Sequence, residues 1–259
     1  YAAFKIIESK ECPIGMKKFL ILFITIFIVF SVWNMIAADK LKVLFLSGGG
    51  GEPNTGHNGR INHHKLKPSF LRAGIQITYS SNLDHLDPEI LARYDVIIMY
   101  LSAGNEKPNR VKALVEYIEK GGGLVALHNT CGAFEGTREF VDLIGGQFDR
   151  HGSGWFTATH VKDQEDHPIL SGIEEFEVWD ETYIHKNLND DRTDLIMRDE
   201  NGHSEPWAWV RNQGKGRVFY TAYGHDGRVW ENFQFQKLIT AATIWASNKT
   251  TKINLEIPT

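Results

Sequence analysis

Gly121-Gly-Gly-Leu-Val-Ala-Leu-His-Asn-Thr130 is a short apolar run that stops on a polar histidine. It reads as a buried strand that delivers His128 at its carboxyl end, with a loop and a helix to follow. In an open α/β sheet, ligands sit outside the carboxyl ends of the strands, so a histidine there stands where chemistry is done. Gly214-Lys-Gly-Arg-Val-Phe-Tyr-Thr-Ala-Tyr-Gly-His-Asp226 repeats the design, since an apolar strand from Arg217 to Ala222 leads to Tyr223, His225 and Asp226. Either histidine alone reads equally well as a satisfied loop residue. Their repetition at two strand ends points to a site.

Working outward, strand and helix patterns alternate. Lys42 to Leu46, Ile75 to Tyr79 and Asp95 to Leu101 are continuous apolar runs, the mark of strands buried on both faces. Asn58 to Ala73 reads as a helix, as does Pro108 to Lys120, with its stripe of Val111, Leu114, Val115 and Ile118 closed by the glycine run. Beyond Gly145 the texture changes to shorter alternating strands around Trp155 to Val161, Glu175 to Ile184, Asp194 to Arg198 and Trp207 to Arg211. Phe233 to Ala246 is an amphipathic closing helix. The pattern predicts an α/β three-layer sandwich with a mainly parallel central sheet.

At 259 residues and 42% hydrophobic, the chain has enough apolar side chains for one full-sized core. Its formal net charge of -4 comes without any stripe of Lys or Arg, which leaves a phosphate backbone nothing to hold and excludes nucleic acid as a partner. Met16, Lys17-Lys18, the apolar run Phe19 to Ile36 and Ala37-Ala38 have the parts of a secretory signal, so residues 16–38 are read as a leader and 1–15 as an upstream extension. The body, 39–259, is then a single exported domain, periplasmic in a bacterium. If the apolar run is not cut, it anchors the body to a membrane instead. With the leader removed, Cys131 is the sole cysteine and no internal disulfide is expected.

Gly48-Gly-Gly-Gly51 resembles a phosphate cradle, but Pro53 and Asn54 stand where the helix and its glycine belong, so it reads as a rim loop. His57 and Arg60 follow and are assigned to substrate binding, together with Trp209, Tyr223 and Asp226; His63 and His64 read as solvated surface. Tryptophans such as Trp155, Trp179, Trp207 and Trp230 suit stacking on sugars, or plain packing. Cys131 reads as a small structural residue, because no base beside it would activate a thiolate. His128, His151, Glu181, Tyr183 and His225 form the proton-transfer set, Glu181 and Tyr183 falling on one side of a strand. Were His128, His151 and His225 to converge, they would suit a divalent metal such as zinc, though no His-x-x-x-His spacing marks one.

From Leu41 to Ala246 the chain resembles the ThuA-like (trehalose utilisation) family, a branch of the flavodoxin-like, class I glutamine amidotransferase-like fold. The resemblance rests on Leu127-His128, Leu143-Ile-Gly-Gly-Gln-Phe-Asp-Arg-His151, Asp166-His-Pro168, Asp180-Glu-Thr-Tyr183, Pro206-Trp-Ala-Trp-Val210 and Gly214 to Tyr220 with Gly224-His225. Amidotransferases of this fold carry a cysteine at the strand-to-helix elbow. His128 takes that place here, so glutamine hydrolysis through a thioester is not expected. The resemblance implies a role in carbohydrate catabolism, on trehalose-related 3-keto-glycosides. The alternative is a non-catalytic carbohydrate-binding or accessory protein on the same fold.

Overall fold

A computed structural model of the chain describes residues 40–48, 57–102, 108–134 and 137–249. The leader segment expected at 16–38, and the glycine loop beyond Gly48, lie outside the described residues. Among those described, no helix is long and apolar enough to cross a membrane.

The parallel half of the sheet is built from β1 (Leu41–Gly48), β2 (Ile75–Ser80), β3 (Val96–Leu101), β4 (Gly123–Leu127) and β10 (Gly216–Thr221), in the order β2-β1-β3-β4-β10. Every residue of β3 and β4 is buried, which explains their unbroken apolar sequence; β2, at the edge, alternates between buried and exposed. Beyond β10 the sheet turns antiparallel through β9 (His203–Gln213), β8 (Thr193–Glu200) and β6 (Thr159–His160).

Helix α1 (Gly59–Arg72) connects β1 to β2, and α3 (Pro108–Glu119) connects β3 to β4. These two crossovers run in opposite directions along the sheet, so right-handed connections place the helices on opposite faces. The sheet order reverses between β1 and β3, and the crevice there is where open α/β sheets take their ligands. Short α2 (Pro88–Leu91) precedes β3, and α4 (Arg138–Ile144) packs against α3. α5 (Gly227–Glu231) leads into α6 (Phe233–Ala246), which lies beside α1 and against β3, β4 and β10. Asn58 and Asn232 cap α1 and α6, each accepting backbone N–H groups of the first turn.

The region after Gly145 departs most from the sequence expectation. The strand expected from Trp155 begins at Gln147 and runs to Thr157 as β5, which pairs with β7 (Glu177–Lys186) in a separate antiparallel ribbon. His151 therefore sits on this ribbon and not at a strand end of the parallel sheet. Gly146, Gly152 and Gly154 give that stretch a weak strand propensity, but the pairing with β7 supplies hydrogen bonds that override it. One glycine sets the geometry of the rim: a Cβ on Gly59 would collide with Ser47, so its absence lets the start of α1 press against the end of β1. That contact brings His57 to the sheet.

Candidate functional site

Three loops at the carboxyl ends of the parallel strands each contribute one imidazole. His57 comes from the β1–α1 connection, His128 directly follows β4, and His225 follows β10. Their ring centroids lie 5.2 Å (His57–His128), 5.0 Å (His57–His225) and 5.6 Å (His128–His225) apart. The ribbon covers them from one side. Because side chains alternate along a strand, β7 turns Glu181, Tyr183 and His185 to the same face.

Glu181 joins the set together. Its Oε1 is 3.1 Å from His225 Nδ1 and 3.6 Å from His151 Nδ1, and its Oε2 is 3.3 Å from His128 Nε2. Tyr183 places its hydroxyl 3.1 Å from His128 Nε2. His151 stands opposite Tyr183 on β5. Side-chain exposure rises from 0% at His128 through 12% at Glu181 and 27% at His225 to 44% at His151, which makes His128 the floor of the site and His151 its mouth.

His128 is tightly fixed. Its backbone lies in the left-handed region, at φ 48, a strained conformation for a residue with a side chain. Its own carbonyl accepts from the Tyr220 hydroxyl at 3.1 Å. Thr130, one turn on, donates to Met99 O and accepts from Leu101 N, tying the loop to β3. Nδ1 of His128 lies 2.8 Å from the carbonyl of Ala222. A carbonyl only accepts, so Nδ1 carries a proton and Nε2 is the nitrogen turned to the site.

The His225 loop is held as firmly. Gly224, at φ 133, adopts a conformation that side chains disfavour. Its N–H and that of Asp226 donate to the two oxygens of buried Asp180 at 2.8 and 2.9 Å. Its carbonyl accepts from Tyr100 and Trp230. Burial pushes the Asp180 carboxyl up, against the pull of the neighbouring His128 and of these amides.

Burial pushes His57 down to about 4, helped by the adjacent His128 and His225, so its ring is neutral at physiological pH. His225 is also lowered by burial, with Glu181 pulling the other way. Burial alone would raise Glu181, but the hydrogen bond and charge of His128, with His225 and His151, outweigh it and hold the carboxyl below its usual range. Tyr183 is driven by burial far above the ordinary phenol range and stays protonated. The site thus combines an ionised carboxylate, a hydroxyl donor and imidazoles graded by exposure, the equipment of proton transfer.

Behind the floor runs a second network that the sequence reading missed. Glu205 accepts from the His185 backbone N–H at 2.8 Å and lies 2.6 Å from His185 Nδ1; His185 Nε2 meets the Tyr220 hydroxyl at 3.1 Å, and that hydroxyl lies 2.9 Å from Cys131 Sγ. Burial lowers His185 although Glu205 opposes it, while hydrogen bonds from His185 and His203 outweigh burial and lower Glu205. A neutral imidazole therefore donates to a carboxylate. The alternation of β7 was the available signal, since His185 lies two residues beyond Tyr183. Cys131 is buried, and its thiol is pushed up to about 12 by desolvation. Iodoacetamide should therefore leave Cys131 unmodified in the native chain and alkylate it only after denaturation, as peptide mapping would show.

Several assignments move. His57, expected to bind substrate, belongs to the imidazole cluster. His151, expected in a metal triad with His128 and His225, stands outside the four residues whose ligand atoms lie within 4.8 Å of one another: His57, His128, Glu181 and His225. Trp209 is not a rim residue; it is fully buried, stacks on Tyr220 and donates to the Ile144 carbonyl at 2.8 Å. Tyr223 is likewise core, packed among Phe156, Phe176, Trp207 and Phe235. Asp226 caps α5 through Arg228 N and pairs with the Arg228 guanidinium. Arg60 is exposed on the first turn of α1. His63, expected to be solvated, is buried and stacked on Tyr79, because the helix turns it inward while His64 faces out. Among the rim tryptophans, Trp155 is exposed, and the Arg228 guanidinium lies over both Trp155 and Trp179.

Comparison with known proteins places this geometry. Residues 42–246 match the ThuA family, described as trehalose utilisation. A ThuA-like protein from Bacteroides uniformis superposes with a TM-score of 0.70 at 20% identity, over 85% of this chain and 96% of that one. Another, from Parabacteroides merdae, gives 0.67 at 18% identity, over 85% and 95%. The fold recurs within a β-galactosidase from Bacillus circulans, where 80% of this chain matches 31% of that enzyme with a TM-score of 0.59 at 14% identity. No curated protein matches the chain. The sheet is the mainly parallel α/β arrangement of the glutamine amidotransferase-like fold, with His128 at its elbow, and the matched span covers almost all of the described residues: the chain belongs to the ThuA, trehalose utilisation, family.

Proposed function

We propose that the protein acts on 3-keto-glycosides related to trehalose, by abstracting a proton next to the ketone. The observation that carries this reading is Glu181, an ionised carboxylate set between His128, His151 and His225 and beside the protonated hydroxyl of Tyr183. A ketone at C3 acidifies the C2 proton. His151, the most exposed member and backed by Glu181, takes that proton. The electron pair then forms the C2–C3 enediolate, whose oxygen receives a hydrogen bond from Tyr183. Collapse of the enediolate restores the C3 ketone, forms a C1–C2 double bond and expels the C1 substituent with its bonding electrons, and the leaving oxygen takes the proton held by His151; reprotonation without expulsion gives the isomer instead.

The test is incubation with a 3-keto-disaccharide in deuterium oxide, followed by NMR. Exchange at C2 with release or isomerisation of the sugar, lost in His151→Ala, is the expected result. Saturable binding with no exchange in the wild type would sink the enzymatic reading. It would favour a carbohydrate-binding role, for which the exposed Trp155 beside Trp179 and Arg228 supplies a stacking surface.

We also propose that the body is exported, on the strength of Lys17-Lys18, the apolar run and Ala37-Ala38. The substrate would then be an unphosphorylated sugar outside the cytoplasm. Cell fractionation with N-terminal sequencing tests this: a soluble periplasmic chain starting near Asp39 supports cleavage, a membrane-bound one starting at Met16 supports the anchor, and a cytosolic full-length chain contradicts both.

A further inference from the structure

We infer that His57, His128, His225 and Glu181 form a centre for one divalent first-row transition ion, such as zinc. The ion's chemical role rests on the proton-transfer reading above; its binding stands on geometry alone.

The ligand atoms of the four side chains lie within 4.8 Å of one another. His57 Nε2 and His225 Nδ1 are 3.3 Å apart, His225 Nδ1 and Glu181 Oε1 3.1 Å, and His128 Nε2 and Glu181 Oε2 3.3 Å. Four ligands around zinc, each bonded at ~2.0 Å, stand about 3.3 Å apart along the edges of their tetrahedron. Three of the donor pairs thus already stand near that spacing, with Glu181 offering one oxygen to His225 and the other to His128.

The contacts within the cluster lead to the same point. Glu181 faces two imidazoles through its two oxygens, and Nδ1 of His225 stands at hydrogen-bond distance from both Glu181 Oε1 and His57 Nε2. One nitrogen, with one proton at most, cannot serve both. A cation between them would take the lone pairs of His57 and His225 and the charge of Glu181 together.

The surroundings are also those of a metal site. The ring nitrogen of His128 remote from the cluster donates to a backbone carbonyl, the outer contact that fixes the tautomer and orientation of metal-bound histidines. The His225 loop is braced by Asp180. Three imidazoles with one carboxylate are a borderline donor set that suits zinc, iron, cobalt or nickel over magnesium or calcium, which prefer all-oxygen cages. Bound beside His151 and Tyr183, such an ion would act as a Lewis acid on an enediolate oxygen.

The full chain, stripped with a chelator and dialysed, would be titrated with Zn2+ and with Co2+, following stoichiometry by elemental analysis and the cobalt site by its visible absorption. One ion per chain is expected. Affinity should fall about 100-fold or more in Glu181→Gln and His57→Ala, because even outer contacts to a metal site contribute 10–100-fold, and should change less than about twofold in His151→Ala. Circular dichroism separates lost ligands from lost fold, and near-isosteric Glu181→Gln guards against misfolding. Failure of the wild type to bind either ion saturably would overturn the centre, as would equal losses in Glu181→Gln and His151→Ala. The two readings also fail separately. A chain that binds one ion but exchanges no C2 proton removes the function and leaves the centre, whereas a chain that exchanges the C2 proton yet binds neither ion keeps the function and removes the centre.

Discussion

Glu181→Gln should lower C2 proton exchange on a 3-keto-disaccharide by about 10²–10⁴-fold, the contribution usual for a group in general acid–base catalysis, while leaving the unfolding midpoint within a few degrees of wild type. The substitution preserves shape but removes the negative charge that His128, His151 and His225 all face. Without it His151 loses the partner that would stabilise its protonated form. Stability should hardly change, because the glutamine keeps the shape of the side chain and can still hydrogen-bond the same neighbours. An exchange rate within a few-fold of wild type would place the chemistry elsewhere.

Trp209→Ala should have the opposite profile. The indole is fully buried, stacks on Tyr220 with centroids 4.2 Å apart, and spends its N–H on the Ile144 carbonyl. Truncating such a residue costs about 3–5 kcal/mol through lost contacts and the cavity left behind, a large part of the ~5–15 kcal/mol that holds a domain together. Chemical denaturation would show the midpoint falling sharply. A purely local role at a sugar-binding rim would instead weaken substrate affinity and leave the midpoint alone.

The parallel half of the molecule was legible in the sequence because its strands are buried on both faces and so read as unbroken apolar runs. Phe233–Ala246 was read with its observed limits, because its apolar stripe marks it as a helix. The convergence of His128 and His225 was visible for the same reason, since adjacent parallel strands must release their next residues at one rim. His151 was harder. It reaches the rim on a glycine-rich ribbon whose strand character comes from its partner, and pairing between distant segments leaves little local trace. Trp209 and Tyr223 were misplaced because a polar neighbour in sequence says nothing about the face a strand buries when both faces are covered. His185 and Glu205 escaped notice for a related reason, as a buried histidine–carboxylate pair is recognisable only when both partners are seen together.

The ribbon of β5 and β7 forms no backbone hydrogen-bonded ladder with the larger sheet. The proposed site is divided along that seam, with His57, His128 and His225 on the sheet side and His151, Glu181 and Tyr183 on the ribbon. A ribbon attached through side chains can separate at lower free energy than the strands beneath it. Amide hydrogens of β5 should therefore exchange with solvent through partial openings, while those of β4 and β10 wait for global unfolding. Each opening would part the acid and hydroxyl from their imidazoles and bare the floor at His128. Breathing of this kind would give a bulky disaccharide a way in that the closed form, with His128 wholly buried, does not offer.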